Sequence, residues 1–449
     1  MATAAKTGSA APTSAPGVHP RRLWSFQPRS DREAGDAIVS NFALHWFPAK
    51  VFKPSLDWTY SYWLGTISAA LFLLLVVSGL PLMFLYVPSV ERAYATVKDI
   101  EWVVTFGSWI RSVHRLSAHL MVAAVFLHLV RVFLTGAYKD GAGRGQRRAW
   151  NWVIGVAMLL LTLFLSFTGY LLPWDQLAYW AVTVGTNIAA SIPWVGAQVR
   201  ELLIGGRNID QPTLIRFYAL HVIFLPAALG ALFAYHMWRV RKDGGLARAD
   251  RVASLREKAA DEPVRTKTYT LLGVARGTAP TIRTASLEAR DLTVNAVPDL
   301  VRRAAVAVLG TFAVISVLAS LIRSPLEEPA NPLVTPNPAK APWYFLWLQE
   351  IVTDTTFTVF GFTVNGAFLG GVILPGLLIG LLTAWPWLDR SGADAAGVWF
   401  HGSRRRQNAV FLLIVLVVVG LTIVGTFLRG PSWQFFWPWQ PWPELPTRI

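Results

Sequence analysis

The 449-residue chain contains no cysteine. That absence excludes a disulfide framework, a thiolate metal site, a cysteine-ligated iron–sulfur cluster and a thioether-attached haem on this polypeptide. Charge is scarce as well. Only 15% of residues are charged, against about a quarter in soluble globular domains. Any metal must therefore use carboxylates, the 5 Met or the 8 His. What the chain has instead is apolar and aromatic mass: 53% hydrophobic residues, with 21 Trp and 25 Phe. Such a composition excludes disorder for most of its length and argues against a soluble globule. Residues 1–20 are rich in Ala, Thr, Ser and Pro without an apolar core, so no cleavable signal peptide is expected.

Seven apolar segments, near 62–86, 112–134, 150–172, 214–238, 301–323, 363–388 and 409–429, are long enough to cross about 30 Å of hydrocarbon at about 1.5 Å per residue. Lipid offers the backbone no water, so these spans should be helices. The expected organisation is an N-terminal tail and amphipathic stretch over 1–57, four spans over 58–238, a polar linker over 239–300, three spans over 301–430 and an aromatic tail over 431–449. The tail, PSWQFFWPWQPWP, reads as an interfacial anchor or a partner-docking edge.

Charge predicts the topology. The N-terminal tail to Lys53 carries +4, loop 139–149 +3, linker 239–303 +6 and loop 389–406 +2, which accounts for the whole net charge of +15. Alternate connections agree at every crossing, a strong positive-inside pattern. It places the N-terminus and linker in the cytoplasm of a bacterial inner membrane and the C-terminus in the periplasm. Orientation explains the basic balance without nucleic-acid binding.

Two spans carry paired histidines. His114 and His128 are 14 residues apart on the second; His221 and His236 are 15 apart on the fourth. At 100° per residue the partners fall about 40° and about 60° apart, each pair on one helix face and separated by roughly 21 Å of rise. Alternating helix direction sets His114 level with His221 near the outer surface, and His128 level with His236 near the inner one. Two imidazoles facing one another at each of two depths suit two stacked bis-His haems. Polar groups this deep are costly and usually functional. Gly65 and Gly79 on the first span, and Gly155 and Gly169 on the third, repeat the 14-residue spacing. They let the backbone approach a macrocycle closely, although small residues also serve helix packing. Arg111 and Arg131 lie one turn toward the nearer surface from His114 and His128, where a guanidinium can meet haem propionates. His119 lies about 140° from His114 with no partner at its depth and reads as structural.

At these residues the chain resembles the cytochrome b family of quinol–cytochrome c oxidoreductases, most closely the bf-type cytochrome of chloroplasts and cyanobacteria. The resembling stretches are FGSWIRSVHRLSAHL (106–120), HLVRVFLTGAYK (128–139), TGYLLPWDQLAYWAV (168–182) and RFYALH (216–221). Residues 301–429 are similar to the three-helix subunit IV of that complex. The resemblance implies an all-α polytopic membrane protein, a four-helix diheme bundle plus three further transmembrane helices. It implies two b haems, with His114 and His221 as ligands of the outer one and His128 and His236 of the inner one. Quinol would be oxidised at an outer pocket and quinone reduced at an inner one, with proton translocation. Implied partners are a Rieske-type iron–sulfur protein, a cytochrome c, membrane lipid and a second copy of the complex.

Two departures matter. The family's outer pocket usually reads Pro-Glu-Trp-Tyr; here Ala341 precedes Pro342, Trp343 and Tyr344, so the carboxylate is absent. Glu350 is the candidate replacement base, the alternative being an exposed loop carboxylate. Tyr344 and Tyr170 are further candidates in that pocket. Trp63 stands about where the bf-type chain has a cysteine for an extra haem. Arg241 follows the inner ligand at the family's quinone-pocket arginine. A second reading is a diheme quinone-linked anchor that moves electrons without bifurcation. A transporter is disfavoured, because the span interiors hold almost no carboxylates to pair with the histidines.

Overall fold

The computed structural model describes residues 50–140, 147–243, 245–247 and 293–441. Most of the N-terminal tail, most of the linker and the last residues of the aromatic tail lie outside them. Seven helices in the described residues are long and apolar enough to span a membrane. They are α1 (Leu64–Leu85), α3 (Gly107–Leu134), α4 (Arg147–Leu171), α7 (Gln211–Lys242), α8 (Pro298–Leu321), α10 (Gly366–Leu388) and α11 (Gly402–Leu428). Each expected span is present, so the chain is an all-α integral membrane protein. Four shorter helices fill the connections opposite the basic ones, on the side expected to be outer: α2 (Ala93–Trp102), α5 (Gln176–Ala190), α6 (Gly196–Ile204) and α9 (Trp343–Asp354).

Local chemistry sets several ends. The Asp175 carboxylate accepts from the Ala178 N–H at 2.9 Å and caps α5, and Asn365 caps α10 through the Phe368 N–H. In α7 and α10 the α-hydrogen-bond ladder slips into one π-turn, at Leu220–Phe224 and Leu369–Ile373. Each precedes a proline by two residues, Pro226 and Pro375. Proline has no N–H to give the ladder and its ring crowds the turn before it, so the chain absorbs one extra residue there.

Antiparallel strands β1 (Lys50–Phe52) and β2 (Thr293–Asn295) tie the approach to α1 to the approach to α8. A second hairpin, β3 (Phe357–Val359) and β4 (Phe362–Val364), follows α9. Helix α1 packs along α3, and α4 along α7; α8 packs against both α1 and α3. The central core joins Leu71 and Leu74 of α1, Val113, Met121 and Ala124 of α3, Leu229 of α7, and Ile315 and Ala319 of α8. The fifth span is therefore built into the four-helix bundle. Large apolar side chains such as Phe84, Leu309 and Leu377 face outward, as a lipid-facing surface requires.

The described ends of the basic connections gather on one side. There the buried Asp389 carboxylate accepts from Arg404 Nε at 3.0 Å and from the Tyr138 hydroxyl at 2.6 Å, with Lys139 Nζ at 3.5 Å. Arg404 Nη2 also donates to the Tyr138 hydroxyl, at 2.7 Å. This cluster joins the end of α3 to the α10–α11 connection. On the opposite side Glu101 pairs with Arg111, and Glu350 with Arg429.

The Asp389 cluster makes a stability prediction. Burial raises the carboxyl, but hydrogen bonds from Ser391 and Tyr138 and the Lys139 charge outweigh it and hold it at about 2. A carboxyl depressed by folding stabilises the fold above its unfolded value, near 4, and loses that contribution as pH falls toward 2. Asp389→Asn leaves the Arg404 charge buried without its counter-ion and is expected to cost about 3–5 kcal/mol. Combining it with Arg404→Met should recover much of that loss. Thermal unfolding in detergent reads both, and an additive double variant would refute the pairing.

Candidate haem and quinone sites

The two histidine-bearing helices, α3 and α7, face each other across a gap rather than packing directly. At the outer level His114 and His221 meet across it, with ring centroids 6.1 Å apart and planes at 75°. Two metal–nitrogen bonds of about 2 Å each, plus the ring radii, need about this separation. At the inner level His128 and His236 are near enough for their charges to interact.

Neighbouring groups choose the tautomer of the outer pair. The Ser78 hydroxyl donates to the Leu74 carbonyl at 2.6 Å, so its oxygen is left to accept from His114 Nδ1–H at 3.0 Å. His221 Nδ1–H donates to the Leu165 carbonyl at 3.0 Å. With Nδ1 protonated in both rings, both Nε2 atoms keep a lone pair, the form that ligates a metal. Among the described residues no cluster of three or more His, Asp or Glu could hold an ion by itself. The outer pair thus presents two imidazole nitrogens with free lone pairs toward each other, a donor set that would suit a haem.

Each of the four glycines lies against a histidine ring. A Cβ on Gly79 would meet His114 Cε1 at 3.2 Å, one on Gly65 would meet His128 Cε1 at 3.3 Å, and one on Gly155 would meet His236 Cε1 at 3.8 Å. One on Gly169 would overlap the His221 ring. Four glycines on α1 and α4 therefore each back one of the four imidazoles.

The π-turn at Leu220–Phe224 contains His221. It absorbs one residue of the 15-residue spacing, so α7 presents its histidines with nearly the 14-residue phase of α3. An uninterrupted α-helix would leave the two pairs differently phased.

Arg131 and Arg111 part company. Arg131 is buried, lies 4.7 Å over the Tyr60 ring and leaves Nη2 without a partner among the described residues. A buried guanidinium nitrogen with no acceptor suits an anionic group such as a haem propionate. Arg111 does not fit that expectation. Its guanidinium is taken by Glu101 at 2.9 Å and by the Ser324 and Pro325 carbonyls at 2.8 and 2.7 Å. It clamps α3 to α2 and to the exit of α8. Arg241 Nε, near the inner level, is buried without a partner among the described residues.

Two curated relatives bear the same name. A cytochrome b6 of Synechocystis sp. (strain ATCC 27184 / PCC 6803 / Kazusa) is 39% identical over 219 residues, 49% of this chain and 93% of that protein. One of Prochlorococcus marinus (strain AS9601) is 43% identical over 183 residues, 41% of this chain and 81% of that protein. The family model "Cytochrome b/b6/petB" matches residues 51–244, and "Cytochrome b(C-terminal)/b6/petD" matches 329–436. The chain belongs to the cytochrome b family. The fold is shared with a solved "Hyperthermophilic respiratory Complex III" chain at a TM-score of 0.62 and 23% identity, covering 88% of this chain and 89% of that one. This cytochrome b is thus a b6-like chain continued by a subunit IV-like half, a redox subunit of a bc/b6f-type quinol oxidoreductase whose family binds haem b.

The candidate quinone-site residues are more scattered than the ligands. Pro342 caps α9 and Tyr344 is buried on it. Its hydroxyl is pushed up to about 12 by burial, against the pull of Ser166, so it stays protonated at neutral pH. Tyr170 ends α4, near enough to Tyr344 for their charges to interact. Trp343 is 41% exposed. Glu350 is neither an exposed loop residue nor a free base. Its side chain is 1% exposed, and both oxygens accept from Arg429, at 2.9 and 3.1 Å from Nε. Such a bidentate pair leaves the carboxylate engaged. Its partner lies 79 residues away, which is why spacing along the chain missed it.

One prediction separates the two levels. Gly169→Val forces the His221 ring aside and should remove the outer haem's absorbance while the inner haem remains. His128→Ala should do the reverse. Haem content and low-temperature spectra of purified protein check both; two intact haems in either variant would overturn the ligand assignment.

Proposed function

We propose that this cytochrome b carries two bis-His b haems, His114 with His221 and His128 with His236, in a quinol:cytochrome c oxidoreductase. Quinol is oxidised at the outer pocket, electrons cross toward a quinone pocket at the inner face, and the reaction translocates protons. The observation that carries the reading is the pair of outer imidazoles, held 6.1 Å apart with both Nε2 lone pairs left free. When bound, each haem supplies a one-electron centre.

The chain's own residues do the rest. Ser78 and the Leu165 carbonyl hold the outer imidazoles in the ligating tautomer. The Arg131 nitrogen without a partner and the Arg241 Nε balance anionic groups near the inner level. Pro342, Trp343 and Tyr344 form an aromatic wall of the outer pocket, with Tyr170 across from it. The Tyr344 hydroxyl stays protonated and hydrogen-bonds, while a different group takes the quinol proton. The basic connections face the cytoplasm of a bacterial inner membrane. Without cysteine the chain cannot hold an iron–sulfur cluster, so a Rieske-type protein and a cytochrome c subunit must supply the other electron branch. A homodimer of the complex is the assembly. The diheme-anchor alternative loses ground because α8 is part of the bundle core, as a simple anchor does not require.

The test is reduction by quinol. The purified complex should contain two b haems per chain and show b-haem reduction on adding quinol. With the inner pocket blocked, an oxidant pulse should increase b-haem reduction, because withdrawing one electron through the other branch releases the second to this chain. Reduction that an oxidant only reverses would support the one-way anchor instead.

A further inference from the structure

Helix α3 carries a histidine, besides the two proposed haem ligands, that touches the residues proposed for the outer pocket. His119 is five residues beyond His114 and on a different helix face. Its Nδ1 accepts a hydrogen bond from the Trp343 indole N–H at 3.1 Å, and its ring lies 5.8 Å from that of Tyr344. An indole N–H only donates. The His119 proton therefore resides on Nε2, in the neutral tautomer. That Nε2–H bonds to no described residue. A polar hydrogen inside a membrane span is expensive to leave unmade. Here it sits beside two aromatic side chains, in a setting suited to a flat ring that bears oxygen.

Other groups nearby are committed. Glu350 and Asp354, the two acidic residues of α9, both bond Arg429. The Ala341 N–H, at the position of the missing carboxylate, donates to Gln349 at 2.9 Å. The Arg115 charge is close enough to act on His119, Tyr170 and Tyr344; its guanidinium donates to the Pro325 carbonyl at 3.4 Å.

We propose that His119 is the hydrogen-bond donor to the ring oxygen of quinol or quinone at the outer pocket, its Nε2–H presented by the Trp343–Nδ1 bond. His119 binds and orients the ring. It is not the proton acceptor while Trp343 occupies its lone pair. This rests on the outer-pocket reading above.

The experiment uses the whole complex with a decyl-substituted quinol, comparing wild type with His119→Ala, His119→Gln, His119→Asn and Trp343→Phe. Turnover yields KM and kcat, and infrared difference spectra of carbonyl-labelled quinone report the hydrogen bond directly. His119→Ala should raise KM about tenfold, the loss of one hydrogen bond, and return the carbonyl stretch to its unbonded frequency. Glutamine places an amide N–H where Nε2–H was, so it should keep KM within about threefold of wild type; asparagine overlays Nδ1 instead and should behave like alanine. Trp343→Phe frees the tautomer and should give an intermediate rise. If alanine prevents haem assembly, the glutamine–asparagine contrast still decides. Unchanged KM and carbonyl frequency in His119→Ala with both haems present would overturn the role of His119 alone. A wild-type complex that quinol cannot reduce would overturn the outer-pocket reading beneath it.

Discussion

Everything in this chain is arranged around imidazole pairs facing each other across a gap between two membrane helices. Hydrocarbon gives a polar side chain nothing to bond, so a ring placed there must find a partner or serve a function. At the outer level the protein satisfies Nδ1 and deliberately leaves Nε2. The hydroxyl of Ser78 and the Leu165 carbonyl settle which nitrogen carries the proton. The glycines of α1 and α4 follow from the same requirement: a side chain at Gly169 or Gly79 would press on the ring it backs. Helix α8 then packs on α1 and α3, the helices whose mutual position sets one wall of the gap.

Helix α7 solves a problem of phase. An α-helix advances about 100° per residue, so spacings of 14 and 15 cannot present two residues identically. Pro226 withholds one backbone N–H, the ladder opens into a π-turn at His221, and the surplus residue is absorbed there. The irregularity is thus a fitting device.

Much of this was legible in the residues. Spans are legible because the bilayer demands about 20 apolar residues in a row. The histidine and glycine spacings survive translation into three dimensions because helices convert separation into depth and angle. Contacts between distant elements were not legible. Nothing in LWLQEIV announces that Glu350 is claimed by Arg429, or that Arg111 turns toward Glu101 and the α8 exit. His119 looked structural because its partners, Trp343 and Tyr344, lie more than 220 residues on, in a short outer helix with no span-length signal. The connecting helices α2, α5 and α6 escaped for the same reason: they are short and amphipathic, and are held by caps and tertiary contacts.

The division of the chain into a b6-like half and a subunit IV-like half raises a question of what holds the halves together. The curated relatives match about half of this chain, so covalent continuity need not be the bond. Three sets of contacts can do the work. Helix α8 enters the core of the first half. The Asp389–Arg404 pair reaches Tyr138 and Lys139 at the end of α3. On the other side Arg111 grips the backbone just past α8. Two of these are buried ionic clusters near opposite membrane surfaces, where breaking either leaves a stranded charge. A polar clamp at each end, with an apolar wedge between, fixes tilt and register more firmly than apolar packing alone, because neighbouring helices in lipid gain little from the hydrophobic effect. That rigidity matters to the proposed outer pocket, whose wall would be drawn from both halves: α3 and α4 from the first, α9 from the second. Fusion would then add local concentration to an interface already specific in geometry.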